Sequence, residues 1–459
     1  MIGPMRLGRV TALVVASAII SSSAALAGAA TKPPTKKDVA ALEKSIAATG
    51  RLFDTSTAFD GTQMVAADET PFGAIALGLT DGRVSVWTTK DAKKWTRVPE
   101  EALGAPATAL DASTTSPTAA NGGIVIDADA DGTLIVIGND VFTTKDGKRF
   151  TYSGVDANGI WLRTEPVEVN RLTFGNAPPL DAAVGPKRSV LVGSGSWFQQ
   201  AGGPSPGFVP TFWSSTDREH WTGQPIKGAD ATPGFVGAVV ALDDGTFVAA
   251  GADTYADVGS TVGRGDDAAV WTSADGTSWT RADAAPFAAP GTQEISYLAA
   301  RGDRLVAAGF DSPGGAELTA PAFWTSSDAG RTWTRAPLDP AVFPPGSRIK
   351  GLVSTPRGFV ASGVNGSSVV TARWAYWTSP DGQTWTQAYN DEIFSDAPTI
   401  VFPFGKEVVA MRGSAPYSGS ATVAPRPAST SVYVTGAPPP PKATTTTTGA
   451  TATTTRTGG

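Results

Sequence analysis

The chain contains no cysteine and only one histidine, His220, among its 459 residues. Without cysteine it can form no disulfide bond, no thiolate metal site and no cysteine nucleophile. Because His220 stands alone and lies inside a repeated turn motif, a histidine-based catalytic triad and a metal site built from several histidines are excluded as well. We therefore expect no metal ion and no other cofactor.

Positive charge is also scarce. The 36 Lys and Arg residues are outnumbered by 42 Asp and Glu residues, which gives a formal net charge of -6. Without the N-terminal leader, which carries Arg6 and Arg9 and no acid, 34 bases face 42 acids and the net charge is -8. An acidic chain binds nucleic acid and anionic lipid poorly. We expect neither as a partner, and we expect a monomer.

Long apolar runs are confined to the N-terminus. Arg6 and Arg9 precede the apolar residues 10–20, and the small residues at 25–27 and 27–29 offer cleavage sites of the A-x-A type. This arrangement predicts a secretory signal peptide over residues 1–29, with an uncleaved anchor helix as the alternative. No other run approaches membrane-spanning length. We therefore expect a protein that is secreted or held at the cell surface, with no membrane span left after cleavage.

One short segment recurs through most of the chain. Residues 270–282 have the sequence VWTSADGTSWTRA, and close copies begin at residues 86, 141, 212, 323 and 376. Each copy places aromatic and β-branched residues on both sides of an acidic turn, which is typical of a β-hairpin. In the turn, Asp275 can accept hydrogen bonds from neighbouring backbone N–H groups, and Gly276 tolerates a positive φ. The equivalent acids are Asp91, Asp146, Asp217, Asp275, Asp328 and Asp381.

The spacing of these acids predicts a repeat architecture. They follow one another at intervals of 55, 71, 58, 53 and 53 residues, which suit four short strands per unit and a β-propeller. Residues 326–333, SSDAGRTW, match in full the pattern S-x-D-x-G-x-T-W of the Asp-box. The chain therefore resembles the Asp-box (BNR) repeat propellers of the sialidase-like superfamily. The resemblance covers residues 50–436 and implies a scaffold in which the six acids are structural.

The predicted fold class is all-β, a seven-bladed β-propeller of four-stranded antiparallel blades with six Asp-box hairpins, and six blades are the alternative. After the sixth hairpin, residues 398–434 supply three strand-like segments, and residues 50–55 can supply the fourth strand of a closing blade. Outside the propeller we predict a linker and short helix over residues 30–49 and a disordered Pro- and Thr-rich tail over residues 437–459.

The strands of each unit are named a, b, c and d, with c and d forming the acidic hairpin. The a-to-b connections are uniformly tight. We expect them on the same face as the acidic hairpins, since antiparallel strands return to the same side at every second connection. All the length variation falls on the b-to-c and d-to-a connections of the opposite face. Variable loops on a rigid scaffold are where binding chemistry usually lies.

The long connections carry the candidate binding residues. Exposed aromatic side chains beside Arg, amide and carboxylate groups suit a glycan, because a ring stacks on an apolar sugar face while polar groups bind hydroxyls. A glycan or an extracellular protein is the expected partner, and covering of the sheet edges is the alternative role for the tryptophans. The predicted ligand-binding residues are Trp161, Arg163, Trp197, Gln199, Tyr255, Arg264, Arg373 and Trp374.

An enzymatic alternative follows from the same resemblance. Sialidases clamp a sugar carboxylate with three Arg residues and use a Tyr nucleophile supported by a Glu, together with an Asp acid/base. Their first Arg belongs to a motif near the start of the propeller, where residues 71–78 of this chain, PFGAIALG, contain no Arg. No catalytic residue is therefore assigned. The preferred hypothesis is a non-catalytic binding or scaffold module, and the alternative is a sialidase-like glycoside hydrolase acting through the long-loop face.

Overall fold

A computed structural model describes most of the predicted propeller. The described residues are 34–49, 59, 61–106, 110, 124–137, 140–153, 173–174, 179–198, 208–225, 234–254, 266–312, 319–367, 373–390, 400–414 and 429–434. The predicted signal peptide and C-terminal tail lie outside these ranges.

Strands dominate the structure because each repeat alternates short apolar runs with tight polar turns. Branched and aromatic side chains in the runs pack well on a pleated surface. The turns use residues that accept a positive φ, as at Gly245 (91°) and Gly302 (56°). Each repeat forms an antiparallel sheet whose strands lie side by side in chain order.

The first three blades share this plan. Blade 1 contains β1 (Thr62–Thr70), β2 (Gly73–Thr80), β3 (Arg83–Thr89) and β4 (Trp95–Arg97). Blade 2 contains β5 (Ile124–Asp129), β6 (Gly132–Ile137), β7 (Asp140–Thr144) and β8 (Thr151–Ser153). Blade 3 contains β10 (Pro179–Val184), β11 (Ser189–Phe198), β12 (Phe208–Ser215) and β13 (Thr222–Pro225), and the short β9 (Thr173–Phe174) pairs with β11.

The next three blades repeat the plan, and a three-stranded sheet follows. Blade 4 contains β14 (Gly234–Ala241), β15 (Phe247–Thr254), β16 (Asp266–Ser273) and β17 (Thr280–Arg281). Blade 5 contains β18 (Thr292–Arg301), β19 (Arg304–Ser312), β20 (Ala320–Ser326) and β21 (Thr334–Arg335). Blade 6 contains β22 (Arg348–Thr355), β23 (Gly358–Asn365), β24 (Arg373–Ser379) and β25 (Thr386–Asn390). The last sheet contains β26 (Ile400–Phe404), β27 (Glu407–Ser414) and β28 (Ser429–Val434).

The sheets stand side by side around a closed ring. Their first strands contact one another in the order β1, β5, β10, β14, β18, β22 and β26, and β26 contacts β1. The prediction of seven four-stranded blades is corrected to six, the alternative number, and the sheet β26–β28 fills the place between blades 6 and 1. The reason is that the chain after the sixth hairpin supplies only three strands among the described residues. Residues 50–55, predicted to add a fourth strand, lie outside the description.

The hydrophobic core lies between neighbouring blades. In blade 5, for example, the Trp324 ring lies 6.0 Å from that of Phe287 in the preceding d-to-a connection, and its indole N–H donates to the Pro286 carbonyl at 2.9 Å. Truncating such a buried tryptophan typically costs about 3 to 5 kcal/mol. The equivalent tryptophans of strand c that are 1% exposed or less are Trp87, Trp271, Trp324 and Trp377.

Helix α1 (Lys36–Thr49) packs between blade 6 and the three-stranded sheet. At its start the Thr35 hydroxyl accepts the Asp38 N–H at 3.2 Å, and the Asp38 carboxylate accepts the Thr35 N–H at 2.8 Å. Leu42 and Ile46 are 0% and 2% exposed, and they join apolar side chains from both sheets. Neither this helix nor any other in the described ranges has the length and apolarity to cross a bilayer.

Candidate functional site

The turns between strands c and d share one construction in all six blades, and we call them the acidic hairpins. In blade 4, Oδ1 of Asp275 accepts the N–H groups of Thr277 and Ser278 at 2.8 Å and the Ser273 hydroxyl at 3.1 Å. The hairpin of blade 5 is one residue longer, and there Asp328 accepts the Thr332 N–H at 2.9 Å. The acids that accept N–H groups two and three residues ahead are Asp91, Asp146, Asp217, Asp275 and Asp381.

In blades 2 and 4 these hydrogen bonds favour the ionised form of the hairpin acid. The Ser278 N–H and the Thr277 hydroxyl hold the pKa of Asp275 well below its ordinary value, and the Lys148 and Arg149 N–H groups lower the pKa of Asp146. A carboxyl with a lowered pKa stabilises the folded state above its unfolded pKa, and this stabilisation is lost as the pH falls. The hairpin acids therefore act as structural charges.

The residue after the hairpin acid packs against the preceding blade. In blades 2, 4 and 6 it is Gly147, Gly276 or Gly382, with φ of 66°, 71° and 79°. A Cβ at Gly147 would lie 2.5 Å from the Phe72 ring, and one at Gly276 would lie 2.8 Å from Cδ of Arg188. Glycine therefore permits both the turn and the close approach of the hairpin to its neighbour.

Ion pairs join strands b and d in blades 4 and 5. They lie toward the face of the ring opposite the acidic hairpins, which carries the b-to-c connections and which we call the loop face. Arg281 of β17 pairs with Asp253 near the end of β15, and Arg335 of β21 pairs with Asp311 near the end of β19. The Asp253 side chain is only 3% exposed, whereas that of Arg281 is 18% exposed. The Arg335 guanidinium also lies 5.8 Å from the centroid of the Trp324 ring. These charges anchor the strand ends from which the b-to-c connections of blades 4 and 5 depart.

A buried amide extends the second of these pairs. Gln293 is fully buried and donates to Oδ1 of Asp311 at 2.9 Å and to the Pro290 carbonyl at 3.2 Å. Its own oxygen accepts the Ala289 N–H at 3.2 Å. The connection before blade 5 is therefore tied to the ion pair of Asp311 and Arg335.

The predicted site residues do not include Arg281, Arg335 or Gln293. The recurrence of Arg directly after Trp-Thr in strand d is a signal that could have found the two arginines. The same position in blade 1 holds Arg97, which donates to the Ser85 hydroxyl at 2.7 Å. Gln293 follows no comparable pattern.

The structure describes the side chains of two predicted ligand-binding residues. Arg373 begins β24, opposite Asn365, and is half-buried. Trp374 is 5% exposed, and its ring lies 6.1 Å from that of Tyr376. The exposed ring expected at Trp374 is not found, because this side chain belongs to the apolar cluster beneath helix α1. The backbone of Trp197 lies in β11, and its side chain is not among those that the structure describes. The predicted residues that lie wholly outside the description are Trp161, Arg163, Gln199, Tyr255 and Arg264.

Two buried carboxyl groups join neighbouring blades near the centre of the ring. Asp127 of β5 accepts the Val184 N–H of blade 3 at 2.5 Å, and Asp181 of β10 accepts the Val239 N–H of blade 4 at 2.8 Å. Burial raises the pKa of Asp127 to about 7 and that of Asp181 well above its ordinary value. Asp127 therefore changes its charge near neutral pH while it links two blades.

A cleft of about 610 Å³ opens between blades 2 and 3 on the face of the tight turns, which we call the hairpin face. This volume lies within the range of small-molecule sites, roughly 300 to 1,000 Å³. The a-to-b turn and the acidic hairpin of each blade line the cleft, around Gly132, Asp146, Gly185 and Asp217. The a-to-b turns and the acidic hairpins of these blades thus lie on one face, as the antiparallel order of the strands predicts. Within the described part of the chain, no group of three His, Asp or Glu side chains is placed to hold a metal ion.

Comparisons with known proteins find no match in sequence and distant matches among solved structures. No protein-family model matches the chain, and no curated protein matches it. A mutant of Trypanosoma rangeli sialidase displaying trans-sialidase activity is 11% identical with a TM-score of 0.38, and the match covers 84% of this chain and 54% of that chain. YCF48 bound to D1 peptide is 15% identical with a TM-score of 0.36, and the match covers 66% and 76% of the two chains. The β-propeller domain of the Trilobed protease from Pyrococcus furiosus is 8% identical with a TM-score of 0.43, and the match covers 81% and 93%. The chain thus spans about half the length of the sialidase that it matches.

Proposed function

We propose that this protein is a non-catalytic binding or scaffold module whose partner, a glycan or an extracellular protein, meets the loop face. The observation that carries the proposal is the pair of ionic contacts that join Asp253 to Arg281 and Asp311 to Arg335. They hold the strand ends at the roots of the b-to-c connections in blades 4 and 5, where β15 and β16 stay paired to their ends. A rigid stem of this kind reduces the conformational freedom that a binding loop loses when it meets its partner.

The residues at these roots suggest which groups meet the partner. Tyr255 follows β15 directly and Arg264 lies two positions before the first residue of β16, while Arg373 begins β24 in blade 6. In this proposal the Tyr255 ring stacks on an apolar sugar face or protein side chain, and the two arginines bind carboxylate or hydroxyl oxygens.

The proposal also states how the ring is built and where the protein acts. The acidic hairpins are Asp-boxes that build the ring, which is supported by the hydrogen bonds that each acid accepts within its own turn. The basic and apolar leader supports export from the cell, so the module acts in the medium or at the cell surface.

A glycan array combined with a fluorogenic sialoside assay tests this function. We expect binding to a subset of glycans without turnover, and we expect Tyr255→Ala and Arg264→Ala to weaken binding roughly tenfold or more. Arg331→Ala is the matched control, because Arg331 is an exposed arginine on the hairpin face. If no glycan binds, affinity capture from culture medium with the same variants tests a protein partner, and Tyr255→Ala should again reduce recovery.

Two results would contradict the proposal. Sustained sialoside hydrolysis that Arg264→Ala or Arg373→Ala abolishes would favour the sialidase-like alternative. Binding that all loop-face variants retain and Arg331→Ala weakens would show that the loop face is not the binding surface.

A further inference from the structure

Arg218 is an unusual residue for the place it occupies. It follows the hairpin acid of blade 3, where blades 2, 4 and 6 have glycine. Its φ is 64°, a left-handed conformation that bulky side chains seldom adopt. The guanidinium pairs at 2.6 Å with Asp129 of blade 2, and the two side chains are 17% and 14% exposed. Strained residues that their surroundings hold in place are concentrated at functional sites.

The side chain of Arg218 accounts for the position of the cleft. In blades 2 and 4 the hairpin glycine approaches the preceding blade so closely that a Cβ at Gly147 or Gly276 would lie 2.5 or 2.8 Å from it. Arg218 carries a Cβ and a long side chain, so its hairpin cannot approach blade 2 to the same degree. The cleft of about 610 Å³ lies between these two blades, and Arg218 is among its lining residues.

The acids of this cleft are largely engaged inside the protein. Asp129 is paired with Arg218, and Asp146 and Asp217 each accept two N–H groups of their own hairpins. The two remaining acids of the lining are Asp131 and Glu219, and both are exposed.

Most basic side chains of the cleft form no ion pair among the described residues. Lys145, Arg149 and Lys187 are exposed and form no ion pair with another residue that the structure describes. Arg188 donates to the Ser214 hydroxyl at 3.1 Å and likewise has no ionic partner in those ranges. Four cations of the lining thus have no ionic partner among the described residues, although the lining as a whole holds equal numbers of each sign. Their guanidinium and ammonium groups are therefore available to bind an anion.

We propose that this cleft binds a small molecule that carries a multivalent oxyanion, a phosphate or a cluster of carboxylates. Arg149 and Arg188 supply planar guanidinium groups that can hold an oxyanion through two hydrogen bonds each. Lys145 and Lys187 add point charges. Apart from these four residues and Arg218, the described lining consists of Gly, Pro, Ser, Thr and acids and offers no aromatic ring, so recognition is electrostatic. The site is separate from the loop face and does not depend on the function proposed for that face.

Calorimetric titration of the full-length protein at low ionic strength tests the proposal, with inorganic pyrophosphate and citrate as probes. We expect at least one of them to bind, and we expect added salt to weaken the binding. Whichever probe binds with the higher affinity shows whether the cleft prefers a phosphate or a carboxylate ligand. Arg149→Gln and Arg188→Gln should each weaken binding roughly tenfold or more, because each removes a charged donor.

Two further variants make the test specific. Lys148→Gln is the matched control, because Lys148 precedes Arg149 in the same exposed hairpin, carries the same charge and does not line the cleft. Its affinity should equal that of the unmodified protein. Arg218→Gly places at this position the residue found in blades 2, 4 and 6 and permits a closer approach to blade 2, so it should abolish binding.

The proposal is overturned if neither anion binds the unmodified protein or if Lys148→Gln weakens binding as much as Arg149→Gln does. It is also overturned if Arg149→Gln and Arg218→Gly both bind the anions as the unmodified protein does.

Discussion

Replacing Asp127 with asparagine should make the free energy of unfolding much less dependent on pH. The side chain is 4% exposed and accepts the Val184 N–H of the next blade at 2.5 Å. Asparagine keeps an oxygen for this hydrogen bond and cannot ionise. The substitution therefore isolates the cost of placing a negative charge at this position.

The magnitude follows from the pKa. Burial raises the pKa of Asp127 from 3.8 to about 7, against smaller lowering effects of the Val184 and Ala128 N–H groups. A group with a raised folded pKa contributes stability that is complete below its unfolded pKa and is lost as the pH rises to its folded pKa. The difference of about three pKa units corresponds to roughly 4 kcal/mol of stability lost between about pH 4 and pH 7.

Urea unfolding followed by tryptophan fluorescence at a series of pH values measures this loss. The difference in unfolding free energy between Asp127→Asn and the unmodified protein should grow in favour of the variant by roughly 4 kcal/mol from pH 4 to pH 8. Other titrating groups are common to both proteins and largely cancel in the difference. Two curves that stay parallel within about 0.5 kcal/mol would refute the reasoning that Asp127 is held in a buried, charge-disfavouring site.

Four further substitutions probe the turns and the helix. Gly382→Ala would place a Cβ 2.9 Å from Cγ2 of Thr325 at a φ of 79°, so thermal unfolding should show a loss of about 2 to 4 kcal/mol. Gly302→Ala, with a φ of 56° and open space around it, should lose only about 1 to 2 kcal/mol, and an equal loss would contradict the packing argument. Asp275→Ala should lower the unfolding free energy by about 1 to 2 kcal/mol at pH 7, and this difference should shrink in measurements below about pH 4, because the unfolded chain then binds a proton that Asp275 in the folded protein, with its lowered pKa, does not. Leu42→Ala should cost about 2 to 5 kcal/mol in urea unfolding if helix α1 is part of the folded unit, and no change would show that it is not.

The predictable part of the fold depends on contacts between residues close in the chain. The hydrogen bonds of Asp275 reach two and three residues ahead, so the residues of one hairpin specify its turn. Glycine at the next position accepts the positive φ that this turn requires. The repetition of the hairpin then predicts antiparallel units in chain order, and the structure confirms the β-propeller and its four-stranded blades.

The site was less predictable because its contacts join distant residues. Arg218 and Asp129 are 89 positions apart, and nothing in either segment specifies that the two turns meet. Trp374 was expected at the surface among polar neighbours, yet it packs in the cluster of helix α1, a segment more than 300 positions earlier in the chain. The roles predicted for Tyr255 and Arg264 stay predictions, because both residues lie outside the description.

The sequence by itself determined the repeating unit of this protein, since hairpin hydrogen bonds and strand order are local and recur with the motif. Only the tertiary structure decided that the ring holds six blades and a three-stranded sheet, that Arg281 and Arg335 hold the loop face, and that a charged cleft opens beside Arg218. Those features arise where one blade meets the next or where strands b and d come together, and the side chains that meet there are brought together by ring closure and burial.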